Sequence, residues 1–146
     1  MFKKQLVRDL LKDKTLDTDL VVVANTYQNI SNDQLIEKLN LLNAFVNKKM
    51  FRYFQKYPDK RIMFICNIER VRNNTHSHML LRIPKDYDRN LVLDLMSDYF
   101  QKLNKNFKLF KEKARNQVGN IIYSTKKNGF NCFDSTSLSI SPFNFK

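Results

Sequence analysis

The stretch ERVRNNTHSHMLL, from Glu69 to Leu81, contains both histidines of the 146-residue chain, separated by one residue. The apolar residues after them predict a β-strand, and the polar segment Arg70–Thr75 before them predicts a hairpin loop. Because residues i and i+2 of a strand point to the same face of a sheet, His76 and His78 are expected to project side by side. Two neutral imidazoles in that arrangement can bind one divalent cation.

A second strand is predicted immediately upstream, in RIMFICNIE (Arg61–Glu69). If Glu69 lies opposite His76 in an antiparallel ladder, Asn67 lies opposite His78, and all four side chains share one face. A sheet of this kind has one face for a core and one face for a metal site. The opposite face then receives the apolar residues of both strands, which are Ile62, Phe64, Cys66, Ile68, Met79, Leu81 and Ile83.

The length and composition predict a single domain over residues 1–146 with a core of its own. A hydrophobic content of 42% and a charged content of 27% are ordinary for a globular protein. No apolar run approaches the ~20 residues of a membrane-spanning helix, and the N-terminus lacks the pattern of a signal peptide. Two cysteines do not make a disulfide framework. We therefore expect a cytoplasmic location and no membrane partner.

The chain is strongly basic, with 26 Lys and Arg against 14 Asp and Glu, a net charge of +12 and a pI near 9.8. A field of that sign attracts polyanions, of which nucleic acids are the commonest. The alternative is compositional drift in a chain rich in lysine and asparagine. Drift would scatter the lysines without producing the ordered set of residues described below.

The order of the predicted elements indicates the fold class. A first helix over residues 2–14 is followed by the order β-α-β-β-α-β and then by another helix. This order predicts an α+β, ferredoxin-like split βαβ fold, in which an antiparallel sheet carries helices on one face and leaves an open catalytic face. The predicted elements are a strand at Asp19–Thr26, a helix capped by Ser31 that runs to about Lys56, the two metal-site strands, a helix capped by Asp88, a strand at Phe107–Glu112 and a helix from Ala114 to Asn128; the tail Phe130–Lys146 is left unassigned.

A second pair of residues lies in the last predicted helix, where Tyr123 and Lys126 are three positions apart and share a helix face. A tyrosine hydroxyl with a pKa of about 10 is a poor nucleophile. A neighbouring ammonium and a polarised phosphate both favour its attack, and the ammonium can neutralise charge that develops on the phosphoryl oxygens. The alternative for this pair is a half-buried tyrosine on an amphipathic helix.

The ordered set resembles the HUH endonuclease superfamily, which has a Glu and then His-x-His on paired strands, followed by Tyr-x-x-Lys on a later helix. Within it, the set is most similar to the single-tyrosine rolling-circle replication initiators of phages and plasmids. The likeness spans Asp19 to Asn128, and VVVANT (Val21–Thr26) falls where that family has its first strand motif. One departure is Ser77 between the histidines, where the family usually has an apolar residue.

The resemblance implies that the protein nicks and rejoins single-stranded DNA at an origin-like sequence or hairpin and so initiates rolling-circle replication of a mobile element in a bacterial host. A bound Mg²⁺ or Mn²⁺ would polarise the scissile phosphate. The tyrosine would attack it, giving a 5′-phosphotyrosine link and a free 3′-OH. The site residues implied are Tyr123 and Lys126 for catalysis and His76, His78 and Glu69 for the metal, with Asn67 as an additional contact.

Two other functions stay open from the sequence. The first is a single-tyrosine transposase or relaxase with the same chemistry, and the second is a non-catalytic basic module that binds nucleic acid on the same fold. The chain has no P-loop motif, so any unwinding is expected to come from a separate helicase. The oligomeric state, the recognised DNA sequence and the role of the tail are not indicated.

Overall fold

In the computed structural model of the protein, the described residues are 16–112 and 130–133. They form five strands and two α-helices, with two short 3₁₀ turns, Phe54–Lys56 and Pro58–Lys60, between the first helix and the second strand. The predicted helices at residues 2–14 and Ala114–Asn128 lie outside the described residues. In chain order, the elements are β1 (Leu16–Asn25), α1 (Asn32–Met50), β2 (Met63–Val71), β3 (Asn74–Pro84), α2 (Arg89–Leu103), β4 (Lys108–Glu112) and β5 (Phe130–Phe133).

The strands form one sheet in the order β4-β1-β3-β2-β5, and every neighbouring pair is antiparallel. Because β3 lies between β1 and β2, the unit β1-α1-β2 is a split βαβ unit, and β3-α2-β4 completes the second half. The predicted α+β, ferredoxin-like architecture is therefore confirmed. The sheet gains β5, at Phe130–Phe133, from the segment that the sequence left unassigned.

The core lies between the sheet and the two helices, as the alternation of residues predicted. Strand residues that point to this face pack against the apolar stripe of α1 and against α2. All seven residues predicted for the core face of β2 and β3 are buried there, including Cys66 at 0% exposure. The fully buried helix residues that meet them are Leu35, Leu39, Leu42 and Val46 from α1 and Val92, Met96 and Phe100 from α2.

Both predicted helix caps are present. Ser31 Oγ accepts a hydrogen bond from the Gln34 amide at 3.1 Å, and Gln34 Oε1 accepts one from the Ser31 amide at 2.9 Å. This reciprocal pair is the capping box, which satisfies amides that the first turn of a helix leaves without partners. At α2, Asp88 Oδ1 accepts from the Asn90 and Leu91 amides. The apolar residue Leu91, in the first turn of α2, is 48% exposed.

The first helix ends at Met50, six residues before the predicted end at Lys56. Asn47 is the cause, because its side chain binds both backbone groups of Ile62: Nδ2 donates to the carbonyl at 3.0 Å and Oδ1 accepts from the amide at 2.7 Å. Asn43 Nδ2 donates to the same carbonyl at 3.1 Å. The last turn of α1 is thereby fixed to the residue before β2, so the chain between them must leave the helix and turn back.

The hairpin between β2 and β3 is tighter than the predicted loop Arg70–Thr75. The strands continue to Val71 and Asn74, and the turn consists of two residues, Arg72 with φ 50° and Asn73 with φ 62°. Two central residues with positive φ match the twist of the flanking strands, which is why such turns are favoured in two-residue hairpins. The short turn sets the pairing register of the hairpin.

Candidate metal centre

The hairpin register brings the predicted ligands together. Glu69 pairs with His76 and Asn67 pairs with His78, as the sequence predicted. Side chains of paired residues point to the same face, and this face lies opposite the one that packs against the helices. Ser77, between the histidines, is buried on the helix side, where it pairs with Ile68. The departure from the family motif at this position therefore leaves the direction of both imidazoles unchanged.

The carboxylate of Glu69 lies between the two imidazoles. Its Oε2 atom is 3.5 Å from Nε2 of His76 and 3.5 Å from Nε2 of His78. The two rings are 5.2 Å apart between centroids, at an interplanar angle of 78°, and one ligand atom from each of the three residues lies within 4.8 Å of the others. Three possible ligand atoms are thus clustered.

The three side chains are partly accessible to solvent. The side chain of His76 is 13% exposed, that of His78 is 23% exposed and that of Glu69 is 35% exposed. A cation held by three protein ligands keeps positions for water or a substrate oxygen, and such open positions separate catalytic metal sites from structural ones. The exposure of this cluster suits an open site.

Asn67 orients the carboxylate. Its Nδ2 atom donates a hydrogen bond to Glu69 Oε1 at 3.1 Å, so the other oxygen, Oε2, is turned towards the histidines. Asn67 is 2% exposed, and within the described part of the chain its Oδ1 atom has no hydrogen-bond partner. In this geometry the amide nitrogen of Asn67 contacts the Glu69 side chain. The carbonyl oxygen of Asn67 is a buried acceptor beside the site.

The beginning of β3 is held by a hydrogen-bond network one residue before His76. Thr26 Oγ1 donates to the Thr75 carbonyl at 2.6 Å, and Thr75 Oγ1 donates to the Ile30 carbonyl at 2.7 Å. Arg70 Nη2 donates to the same Ile30 carbonyl at 2.8 Å. Both threonine side chains are fully buried. The bond between Thr26 and Thr75 is buried and therefore costly to break, so it fixes the backbone one residue before the first histidine.

The donor set fits a divalent cation. Ligands about 2.1 Å from a cation are roughly 3 to 3.5 Å apart from one another, and the two Glu69–histidine separations of 3.5 Å are close to that range. Two imidazoles and one carboxylate suit several first-row metals. The cluster is therefore a candidate site for a metal ion, and its geometry does not select one ion.

The sheet also brings two residues to this face that the sequence analysis did not single out. Asn25 of β1 pairs with His76 on one side and with Lys108 of β4 on the other, so Lys108, Asn25, His76 and Glu69 form one row across four strands. Lys108 is exposed, and two strand spacings set its backbone about 10 Å from that of His76. In the sequence, Lys108 is signalled by the alternation of basic and apolar residues from Phe107 to Lys111.

The two predicted catalytic residues, Tyr123 and Lys126, lie outside the described residues. Their positions relative to the cluster therefore stay predictions from the sequence. In residues 16–112, no helix has the length and apolar character needed to span a membrane.

Searches of protein-family models, of curated proteins and of solved structures find no match to this chain.

Proposed function

We propose that the protein is a metal-dependent endonuclease and strand transferase of the HUH type, which nicks and rejoins single-stranded DNA to initiate rolling-circle replication of a mobile element. The observation that carries the proposal is the clustering of Glu69, His76 and His78, with one ligand atom from each within 4.8 Å of the others, on the sheet face opposite the helices. The order of the motifs in the sequence and the net charge of +12 support it.

A bound Mg²⁺ or Mn²⁺ would supply a Lewis acid for the scissile phosphodiester. The residues that would hold it are Glu69, His76 and His78, with Asn67 fixing the direction of the carboxylate. A rigid ligand set of this kind matters because rates fall steeply when reacting groups are misplaced by as little as 1 Å. The role of the described residues is thus to bind the cation and position the phosphate.

The nucleophile in this proposal is the hydroxyl of Tyr123. Its oxygen forms a bond to the phosphorus atom while the bond from phosphorus to the 3′-oxygen breaks; the phenolic proton is released and the 3′-oxygen takes up a proton. The product is a 5′-phosphotyrosine link and a free 3′-OH, and attack by a 3′-OH on that link reverses the reaction. Lys126 would lower the cost of the negative charge on the phosphoryl oxygens.

The decisive experiment looks for the covalent adduct. Wild-type protein is incubated with Mn²⁺ and a pool of single-stranded oligonucleotides that carry randomised hairpin loops and a label at the 3′ end, since the 5′-phosphotyrosine link retains that end. A labelled protein band on a denaturing gel is expected for wild type and absent for Tyr123→Phe. The matched control is Tyr27→Phe, which removes the hydroxyl of another tyrosine that is 53% exposed and should leave the adduct unchanged.

Two results would contradict the proposal: an adduct that persists in Tyr123→Phe, or an adduct that forms equally well in excess chelator. Binding of oligonucleotide without any adduct, under all metal conditions, would instead identify a non-catalytic binding module. If the adduct forms, replication, transposition and conjugation are separated by the DNA sequence that the wild-type protein selects from the pool.

A further inference from the structure

The end of α1 and the segment after it carry a concentration of positive charge. Between Lys38 and Lys56 the chain has five basic residues and no acidic one. Lys48 and Lys49 lie in the last turn of the helix, where cations also stabilise the negative end of the helix dipole. Arg52 lies beyond the helix end, so the dipole does not explain its presence there.

Three of these cations border a shallow groove on the outer side of the helical layer. The groove has a volume of about 570 Å³ and is lined by Phe45, Lys48, Lys49 and Arg52. The ring of Phe45 in this groove stacks on Tyr99 of α2 at 4.1 Å with an interplanar angle of 9°. The ammonium of Lys49 lies 5.7 Å from the centre of the Phe45 ring, within the range of a cation–π contact.

An exposed aromatic ring adjoins the groove. Tyr53 is 55% exposed, and the guanidinium carbon of Arg52 lies 5.6 Å from the centre of its ring. This contact holds a ring and a cation next to each other at the surface. We call the residues Phe45, Lys48, Lys49, Arg52 and Tyr53 the basic–aromatic surface.

We propose that the basic–aromatic surface binds single-stranded nucleic acid. The cations would contact successive phosphates, and an unpaired base would stack on Tyr53. Surfaces that bind single strands without sequence preference combine these two features, since every base has a face that can stack. A duplex offers phosphates but keeps its bases paired and stacked. It would therefore contact the cations of this surface without stacking a base on Tyr53.

An anionic membrane is the other polyanion that such a surface could meet. Membrane-bound surfaces insert large apolar side chains below the headgroups. Here, the ring of Phe45 in the groove is engaged with Tyr99, and the nearby ring of Phe51 packs against Tyr57 at 5.6 Å. The rings that extend furthest into solvent are tyrosines, Tyr53 and Tyr57. Stacking with a base therefore fits this surface better than insertion into lipid.

This surface is distinct from the candidate metal centre. The helices pack on one face of the sheet, while Glu69, His76 and His78 lie on the other. In addition, the segment that carries Tyr53 leads to the beginning of β2, whereas Glu69 lies near the other end of that strand. The inference goes beyond the proposed function, because the surface would bind a strand whether or not the metal centre cuts one.

The first test measures the charge contribution. Full-length protein is titrated against a fluorescent 20-residue oligodeoxythymidylate in EDTA, over a range of salt concentrations, by fluorescence anisotropy. The variant Lys48→Gln/Lys49→Gln/Arg52→Gln should lower the slope of log affinity against log salt by about 2, since each phosphate contact on a single strand contributes about 0.7. The matched control, Lys85→Gln/Lys102→Gln/Lys105→Gln, removes the same charge from exposed positions elsewhere and should leave the slope unchanged.

The second test measures stacking. Tyr53→Ala should weaken binding of the oligonucleotide at least about 5-fold, which is the lower limit for loss of one stacked base. Tyr53→Phe keeps the ring and should bind like wild type. Neither variant should change the affinity for a duplex of the same length. Because all these side chains are exposed, thermal melting of each variant should match wild type.

Three results would overturn the proposal. Equal loss of slope in both triple variants would mean that the overall charge, and not this surface, attracts the strand. Unchanged binding by Tyr53→Ala would remove the stacking contact. Binding to phosphatidylglycerol vesicles that depends on the same residues, with no binding of the oligonucleotide, would assign the surface to a membrane. Because every measurement is made in EDTA, failure of the metal centre to cut DNA leaves these outcomes unaffected.

Discussion

Asn67 donates a hydrogen bond of 3.1 Å from Nδ2 to Glu69 Oε1, two residues along the same strand. The other carboxylate oxygen, Oε2, is thereby presented to both histidines at 3.5 Å. Partners that hold a metal ligand in place strongly influence metal affinity even though they do not touch the ion. The contact therefore makes Asn67 a positioning residue for the candidate centre.

Replacement of Asn67 by Leu should weaken Mn²⁺ binding by roughly 10- to 100-fold, the usual effect of losing such a partner. Calorimetric titration of the variant with Mn²⁺ measures this. Thermal stability without metal should be little changed, because an apolar side chain of similar size replaces a buried amide whose Oδ1 atom has no partner within the described residues. Equal Mn²⁺ affinity in the variant and in wild type would show that Glu69 is held by other contacts.

Replacement of His76 or His78 by Ala should abolish Mn²⁺ binding and any nicking while the fold survives. Both side chains are partly exposed and lie on the sheet face away from the helix-packed core, so their loss costs ligands and little packing. The expected pair of results is a melting temperature near wild type in EDTA and no binding isotherm with Mn²⁺. A large fall in the melting temperature without metal would identify the histidines as structural residues.

Replacement of Glu69 by Gln should reduce cleavage and raise the metal concentration needed for half-maximal activity. Hard cations prefer oxygen donors, and a site of two imidazoles without a carboxylate would hold Mg²⁺ weakly. Excess Mn²⁺ should restore part of the activity, because Mn²⁺ binds imidazole better than Mg²⁺ does. Metal titrations of the cleavage rate measure both effects. If the titration curves of the variant and wild type coincide, Glu69 is not a ligand.

Ionisation of Tyr87 should destabilise the fold at high pH. Burial, together with the nearby carboxylates of Asp86 and Asp59, raises the pKa of Tyr87 from 10.0 to about 12, and its hydroxyl donates to the Lys60 carbonyl at 2.7 Å. Because the pKa is raised in the folded state, the stabilisation is complete below pH 10 and is lost as the pH rises from 10 towards 12.

The measurement is the urea midpoint of unfolding across that pH range, compared with Tyr87→Phe. The Phe variant should be less stable near neutral pH, because it lacks the hydrogen bond to the Lys60 carbonyl, but its midpoint should fall less steeply above pH 10. All other titrating groups are common to both proteins, so the difference isolates Tyr87. Parallel curves for the two proteins would contradict the prediction.

The sequence determined the hairpin that carries the candidate metal centre. Alternation along a strand is a local property, since successive side chains point to opposite faces. The apolar positions of β2 and β3 therefore specified which face meets the helices, and a slip of one residue would have turned the side chains of one strand to the wrong face. Glu69 opposite His76 and Asn67 opposite His78 follow from that constraint. The caps at Ser31 and Asp88 were equally local, because each depends on residues at most three positions away.

Only the tertiary structure decided which distant residues join that hairpin. Asn25 and Lys108 reach the row of His76 through the sheet order β4-β1-β3-β2, which no local pattern in β1 or β4 encodes. The end of α1 at Met50 depends on Asn47, whose side chain binds Ile62 fifteen residues along the chain. The direction of the Glu69 carboxylate likewise depends on its contacts with Asn67 and the histidines. The periodicity of the sequence determines which face of a strand each side chain occupies. Which strands are neighbours, and where side chains such as Glu69 point, depends on hydrogen bonds between remote segments, which exist only once the chain has folded.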